Sequence, residues 1–339
     1  MKQFFETLHR TLAAGQDAVL VTVVASSGST PRGAGARMLV TAAGRLCGTI
    51  GGGAVEHRSE QLAAEVLRTR ASRAERFSLR PGRADLGMVC GGDVTVFFRF
   101  IAAQDTQARA VIEQAAALLQ AGEPSWLITE LTPGGSGALT LYSPARGPAG
   151  APVPPGLPAA LGSRPMQWQA QDRLYYAEPL VRAGRVYVFG GGQVAQALVP
   201  VLAALEFRCV VVEDREEFCR PALFPAAEQT LLVPVDRLEQ ALDIGPEDYL
   251  CIMTRGHKND TDCEAFALRT PACYIGVMGS RRKIETVSAV LRSQGFTEAD
   301  LARIHTPIGL PIRAETPAEI AVSIAAELIL TRAERTHLH

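Results

Sequence analysis

Val186-Tyr187-Val188-Phe189-Gly190-Gly191-Gly192-Gln193-Val194-Ala195 is the stretch on which the fold turns. Four apolar residues read as a buried strand and run directly into G-x-G-x-x-A. The pattern from Gln193 to Leu205 is helical, and Cys209-Val210-Val211-Val212 reads as a second strand ending on the acidic pair Glu213-Asp214. Strand, glycine turn, helix, strand and acid form the dinucleotide-binding arrangement. Gly190 permits the tight turn, Gly192 lets a pyrophosphate approach the backbone, and Ala195 lets the helix pack close to the strand. In this reading Asp214, or less readily Glu213, accepts hydrogen bonds from a ribose 2′-OH. The competing reading is that the glycines only pack strand against helix in a fold without a nucleotide. Helix-terminal amides suit any phosphate or carboxylate, so the motif predicts an anion-binding turn and leaves NAD(P) and other phosphorylated ligands open.

Toward the C-terminus, strands are expected at Leu231 to Val233, Tyr249 to Met253 and Ala272 to Val277, and helices at Ser280 to Ser293 and Pro317 to Thr331. Short apolar strands alternating with helices predict a doubly wound parallel sheet covered on both faces. Thr254-Arg255-Gly256-His257 and Gly279-Ser280-Arg281-Arg282-Lys283 each follow a strand, where open α/β sheets bind ligands. His257 is a candidate proton carrier or phosphate donor, against the plain alternative of a structural hydrogen-bonder. The three cations at a helix start oppose the local dipole and read equally well as a solvated helix end.

Toward the N-terminus the pattern is mixed α+β. Phe4, Phe5, Leu8 and Leu12 share one helix face. Strands are expected at Asp17 to Ala25, Arg37 to Thr41, Leu46 to Ile50, Ala74 to Leu79 and Asp93 to Ile101, with a helix from Ala54 to Thr69. A helix from Gln107 to Gln120 stops at Gly122, and strands follow at Ser125 to Leu131, Gly137 to Tyr142 and Arg173 to Glu178. Between them, Pro144 to Pro165 is rich in Pro, Gly and Ala and reads as a mobile surface excursion without packed elements. The expected division is a first domain over 1–180, with the excursion near 144–165, and a Rossmann-like domain over 184–339.

Three first-domain segments carry more small and special residues than packing requires. Ser26 to Arg37, with Arg32, offers hydroxyls, amides and a cation to an oxyanion, or is a polar surface loop. Cys47 to Glu56 places Gly51, Gly52 and Gly53 at a helix start, where amides suit an anion. Leu86 to Asp93 holds Cys90 beside Gly91 and Gly92. A reachable thiolate there would be a soft ligand suited to molybdenum or to sulfur transfer, whereas a buried cysteine is merely a small hydrophobe. Cys47 reads as core, and Cys209, Cys251 and Cys273 as structural.

At 339 residues the chain suits two domains. A net charge of -1 without a Lys/Arg stripe argues against nucleic acid as a partner. No apolar run spans a bilayer, and Met1 to Glu6 turns amphipathic and acidic where a signal peptide stays apolar, so the expectation is a cytoplasmic protein without membrane contact. Seven cysteines without a C-x-x-C pair fit free thiols in a reducing compartment.

Taken together, Ser26 to Arg37, Gly48 to Gly53 with Glu56, Gly87 to Gly92, Gly190 to Gly192, Thr254 to His257, Gly279 to Lys283 and His305-Thr306-Pro307-Ile308-Gly309-Leu310 closely resemble the XdhC/CoxI family, in the family's order. The excursion departs from the family's compact pattern and leaves the local boundary open. The resemblance implies an XdhC/CoxI domain followed by a Rossmann domain. It also implies a maturation factor without turnover of its own, which binds molybdenum cofactor in its molybdopterin form, protects it during sulfuration and inserts it into xanthine dehydrogenase or a related molybdenum hydroxylase. The implied partners are the apo-enzyme and a cysteine desulfurase, and a homodimer is expected. Carried onto this chain, the cofactor role falls on Cys90 as metal ligand and on the glycine loops near it. The rival class is an NAD(P)-dependent oxidoreductase with His257 as its acid–base group; a nucleotide sensor without chemistry is a third.

Overall fold

The computed structural model describes residues 1–30, 32–79, 92–255, 257–279 and 281–335, with the backbone alone for 257–258 and 281–283. The chain divides into two compact units, Met1–Arg182 and Ala183–His339.

The first unit opens with α1 (Lys2–Ala13), which buries Phe5, Leu8 and Leu12 at helical spacing. Then follow β1 (Ala18–Ser27), β2 (Arg37–Thr41), β3 (Gly44–Thr49), α2 (Gly53–Thr69), β4 (Arg73–Ser78) and β5 (Asp93–Ile101). The strands form an antiparallel sheet in the order β3-β2-β1-β5-β4. From Ala18 to Val24 β1 is buried and, apart from Thr22, apolar, because both its faces are covered there. Val19, Val21 and Val23 pack with Leu62 and Val66 of α2, whereas Ala18 and Leu20 pack with Phe5 and Leu8 of α1.

α3 (Thr106–Ala121) is capped by Asp105, whose side chain accepts from Ala108 N–H, and closes on Gly122 in the left-handed region at φ 66°. β6 (Ser125–Glu130), β7 (Leu139–Ser143), β8 (Gly147–Gly150), the single turn α4 (Leu157–Ala160), β9 (Met166–Ala170) and β10 (Arg173–Val181) complete the unit. Their sheet runs β8-β7-β6-β10-β9. Here the structure departs from the excursion expected over 144–165. Gly147 and Gly150 take positive φ, so a short edge strand forms that tolerates Pro148. Leu157 is fully buried against Ile128 and Ala177. Val153, Leu157 and Leu161 pack in this cluster but are separated by Pro154, Pro155, Gly156 and Pro158, which mask a helical signal in the sequence.

In the second unit, β11 (Val186–Phe189), α5 (Gln193–Ala204), β12 (Cys209–Glu213), β13 (Gln229–Leu232), the short α6 (Leu238–Ala241), β14 (Tyr249–Ile252), α7 (His257–Arg269), β15 (Tyr274–Val277), α8 (Arg281–Ser293), the one-turn α9 (Glu298–Leu301), β16 (Ile304–His305) and α10 (Pro317–Arg335) alternate along the chain. All strands are parallel, in the order β13-β12-β11-β14-β15-β16. This is the doubly wound Rossmann order, with its switch point at β11 between β12 and β14.

Candidate functional site

Strand direction gathers the first unit's special segments at one edge of its first sheet. Thr22 pairs with Arg37, Arg37 with Thr49, and Ser27 and Ser78 each with Asp93. The 28–36 loop, the 50–52 turn and Gly92 therefore leave the sheet side by side. Gly92 packs on the first of these: a Cβ there would strike the Ser27 carbonyl and lie 2.6 Å from the Ser29 carbonyl. Cys90 and Gly91, two and one residues before Gly92, lie outside the described residues, as does Pro31. Arg32 is exposed in the loop, among the exposed hydroxyls of Ser27 and Ser29.

The glycine turn before α2 is closed by its own chain. Gly51, Gly52 and Gly53 have φ of 128°, 75° and 65°, a left-handed run that only glycine adopts without strain. Glu56 then folds back over it from the first helical turn. Its Oε2 accepts from Ile50 N–H (3.0 Å), Gly52 N–H (3.2 Å) and the Thr49 hydroxyl, and Oε1 from Arg45. Thr49 Oγ1 in turn accepts from Gly51 N–H at 3.1 Å. Burial pushes the Glu56 carboxyl up, but these hydrogen bonds and the Arg45 charge outweigh it and hold the group below its ordinary value. The turn amides are thus satisfied internally. What remains for a ligand is the first-turn amides of α2, which a helix leaves without intrahelical partners, together with the polar loop and Arg32. That donor set fits an anionic pterin phosphate.

Just under this edge lies a buried cluster that the sequence did not announce. Arg37 Nη2 donates to Glu178 Oε2 at 2.7 Å and the Tyr176 hydroxyl donates to the same oxygen at 3.2 Å. Arg37 and Glu178 are almost fully buried. Burial pushes the Glu178 carboxyl up, against the pull of Arg37. A cation at a strand start and an acid 141 residues later meet only through the packing of the two sheets.

In the second unit the Gly190–Gly192 turn sits at the switch point. Gly190 has φ 104°, and a Cβ there would lie 2.6 Å from the Met253 carbonyl oxygen, so the loop after β14 is in contact with the turn. A Cβ on Gly191 would strike the Phe218 carbonyl. On Gly192 it would meet nothing within 4 Å. The carboxylate that reaches the turn is Glu213, the last residue of β12, which accepts from Gly191 N–H at 2.8 Å. Asp214 instead accepts from Asn259 Nδ2 at 2.8 Å. Burial pushes Glu213 up, but hydrogen bonds from Arg215, Asp214 and Gly191 and the Arg215 charge bring it down to about 2. His257 begins α7 at the same edge, and its side chain, like those of Arg281, Arg282 and Lys283, lies outside the described residues.

The 305–310 motif braces the far side of the sheet. Glu327 of α10 accepts from the Tyr274 hydroxyl and Gly309 N–H, each at 2.6 Å, and its other oxygen is 3.2 Å from His305 Nδ1. Among the described residues no group of three His, Cys, Asp or Glu side chains is placed to hold a metal ion, and no helix is long and apolar enough to cross a membrane.

Comparison with known proteins matches residues 11–78 to the XdhC and CoxI family and residues 186–328 to the XdhC Rossmann domain. The uncharacterized protein YqeB of Escherichia coli K12 is 28% identical over 316 residues; the match covers 91% of this chain and 42% of that one, so this chain spans less than half of that relative. A Bacillus subtilis 168 protein named as a probable xanthine dehydrogenase subunit is 25% identical over 337 residues, with 98% of both chains covered. PaoD of Escherichia coli K12, named a molybdenum cofactor insertion chaperone, is 36% identical over 85 residues, 25% of this chain and 27% of PaoD. A crystal structure described as a xanthine dehydrogenase from Bacillus halodurans shares the fold, with a TM-score of 0.77, 24% identity, and 98% and 96% of the two chains covered. With residues 11–78 of the first unit and residues 186–328, the Rossmann core of the second, both matched, the chain belongs to the XdhC and CoxI family.

Proposed function

We propose that this protein is an accessory factor of a xanthine dehydrogenase-type molybdenum hydroxylase, which binds molybdenum cofactor, protects it during sulfuration and delivers it to the apo-enzyme. The observation that carries this reading is the convergence of the 28–36 loop, the 50–52 turn and Gly92 at one sheet edge. The groups that meet there are polar and anion-seeking, and Cys90 would add a soft thiolate two residues from Gly92. PaoD's name and that of the Bacillus subtilis relative point the same way.

In this reading Arg32 and the α2 amides hold the cofactor's phosphate, Cys90 is the metal-side ligand, and Gly91 and Gly92 let the thiolate approach. The cofactor itself supplies the molybdenum centre. A cysteine desulfurase would be the sulfur source, a homodimer the assembled form and the cytoplasm the compartment. The second unit, with Gly190 and Gly192 in its turn and His257 at the start of α7, would offer an anion site.

The test is activation of apo-xanthine dehydrogenase, followed as urate formation. Cofactor-loaded full-length protein is expected to restore activity. Failure of the loaded protein to do so, when free cofactor succeeds, would overturn the delivery role.

A further inference from the structure

A Rossmann fold with G-x-G-x-x-A implies a nicotinamide dinucleotide, and the residues present can be tested against that group. The fingerprint places a carboxylate at the end of the second strand, where it accepts from the ribose hydroxyls. Here that residue is Glu213, and its oxygens are already in use. Oε2 accepts from Gly191 N–H at 2.8 Å and Arg215 Nη2 at 3.1 Å. Oε1 accepts from Asp214 N–H at 3.1 Å, Arg215 N–H at 3.2 Å and Arg215 Nε at 3.1 Å. A carboxylate offers about four lone-pair sites, so five donors exhaust it.

Its neighbour does not take over the role. Asp214 is held by Asn259 at 2.8 Å and lies 3.7 Å from Arg215 Nε. The Arg215 guanidinium is fixed a second time, 4.2 Å from the centre of the Phe218 ring, and the Phe218 carbonyl abuts Gly191. A ribose diol entering here must displace a two-pronged cation from a buried carboxylate, and two hydroxyl hydrogen bonds replace a charge-assisted pair poorly. A 2′-phosphate fares no better, since the ionised Glu213 repels it.

We propose that Arg215 and Glu213 close the ribose position of this turn, so that it excludes NAD(P). Arg215 is the specificity-determining residue, because it alone supplies two side-chain donors to the carboxylate. The inference is independent of cofactor delivery by the first unit: it is read on nucleotides, whereas delivery is read on molybdenum and urate.

Calorimetric titration of the full chain with NAD⁺, NADH, NADP⁺ and ADP-ribose tests it. No saturable binding is expected up to about 1 mM ligand. Arg215→Ala, checked for an unchanged circular dichroism spectrum, is expected to gain at least about tenfold in ADP-ribose affinity, a shift of roughly 1.4 kcal/mol. Micromolar binding of any of these ligands by the parent would overturn the proposal whatever the variant does. A folded Arg215→Ala protein that remains as blind to ADP-ribose as the parent would overturn the role given to Arg215.

Discussion

The two glycine turns look alike in sequence and are built on different grounds. In Gly51–Gly53 the backbone itself demands glycine, since all three residues have positive φ, and the closing carboxylate, Glu56, comes from the helix that the turn opens. In Gly190–Gly192 only Gly190 has positive φ; Gly191 is required by the Phe218 carbonyl, and the closing carboxylate, Glu213, comes from the adjacent strand. Gly192 is required by neither backbone nor neighbour. The first turn is therefore glycine-rich for its own conformation, whereas in the second, one glycine, Gly192, is demanded by neither conformation nor neighbour. Both commit a glutamate to their own amides, so a glycine-rich helix start is not by itself an open anion site.

Substitutions separate these grounds, and the largest effect is expected at Gly191. Gly191→Ala drives a Cβ into the Phe218 backbone carbonyl and should cost about 3 kcal/mol or more, seen as a lowered guanidinium midpoint. A change under about 1 kcal/mol would mean the Phe218 segment yields.

Next comes Glu213→Gln, which leaves Arg215 without its anion and turns an amide group toward Gly191 N–H. A loss of roughly 3 kcal/mol is expected near pH 7. The folded-state carboxyl titrates at about 2, below the ordinary value, so its contribution is present above that ordinary value and fades as pH falls toward about 2. The gap in melting temperature between parent and variant should narrow on acidification. A gap that widened toward low pH would contradict the assignment.

Gly52→Ala and Gly192→Ala draw the contrast more finely, since a Cβ has open space at both. Gly52 sits at φ 75° and Gly192 at φ −70°. With ψ −173° Gly52 lies in a region that glycine alone reaches readily, so the first change should cost about 2 kcal/mol and the second within about 0.5 kcal/mol of nothing. Equal costs in urea denaturation would show that backbone conformation does not distinguish the turns.

Much of the second unit was legible because β11 and α5 carry their period without interruption and the glycine turn separates them. α7 was less so, since His257–Arg269 begins with polar residues and its apolar face emerges only at Cys263 and Phe266. β9 was missed because Met166-Gln167-Trp168-Gln169-Ala170 is a half-exposed edge strand with little β-branching. At the site, the glycines were visible as residue types, whereas their closure was not. Glu56 stands at a spacing that reads as an ordinary first-turn acid, and Glu213 and Arg215 reveal their pairing only when the strand end and turn are brought together. Arg37 and Glu178 meet across two sheets, a pairing no local pattern encodes.

Cofactor binding at the first unit's sheet edge is decided by the molybdenum and pterin content of the full chain purified from a host that makes the cofactor, alongside Cys90→Ala. Molybdenum and pterin are expected in equal amounts in the parent, with loss of both in the variant and an unchanged circular dichroism spectrum. A parent protein carrying neither molybdenum nor pterin would contradict the cofactor role.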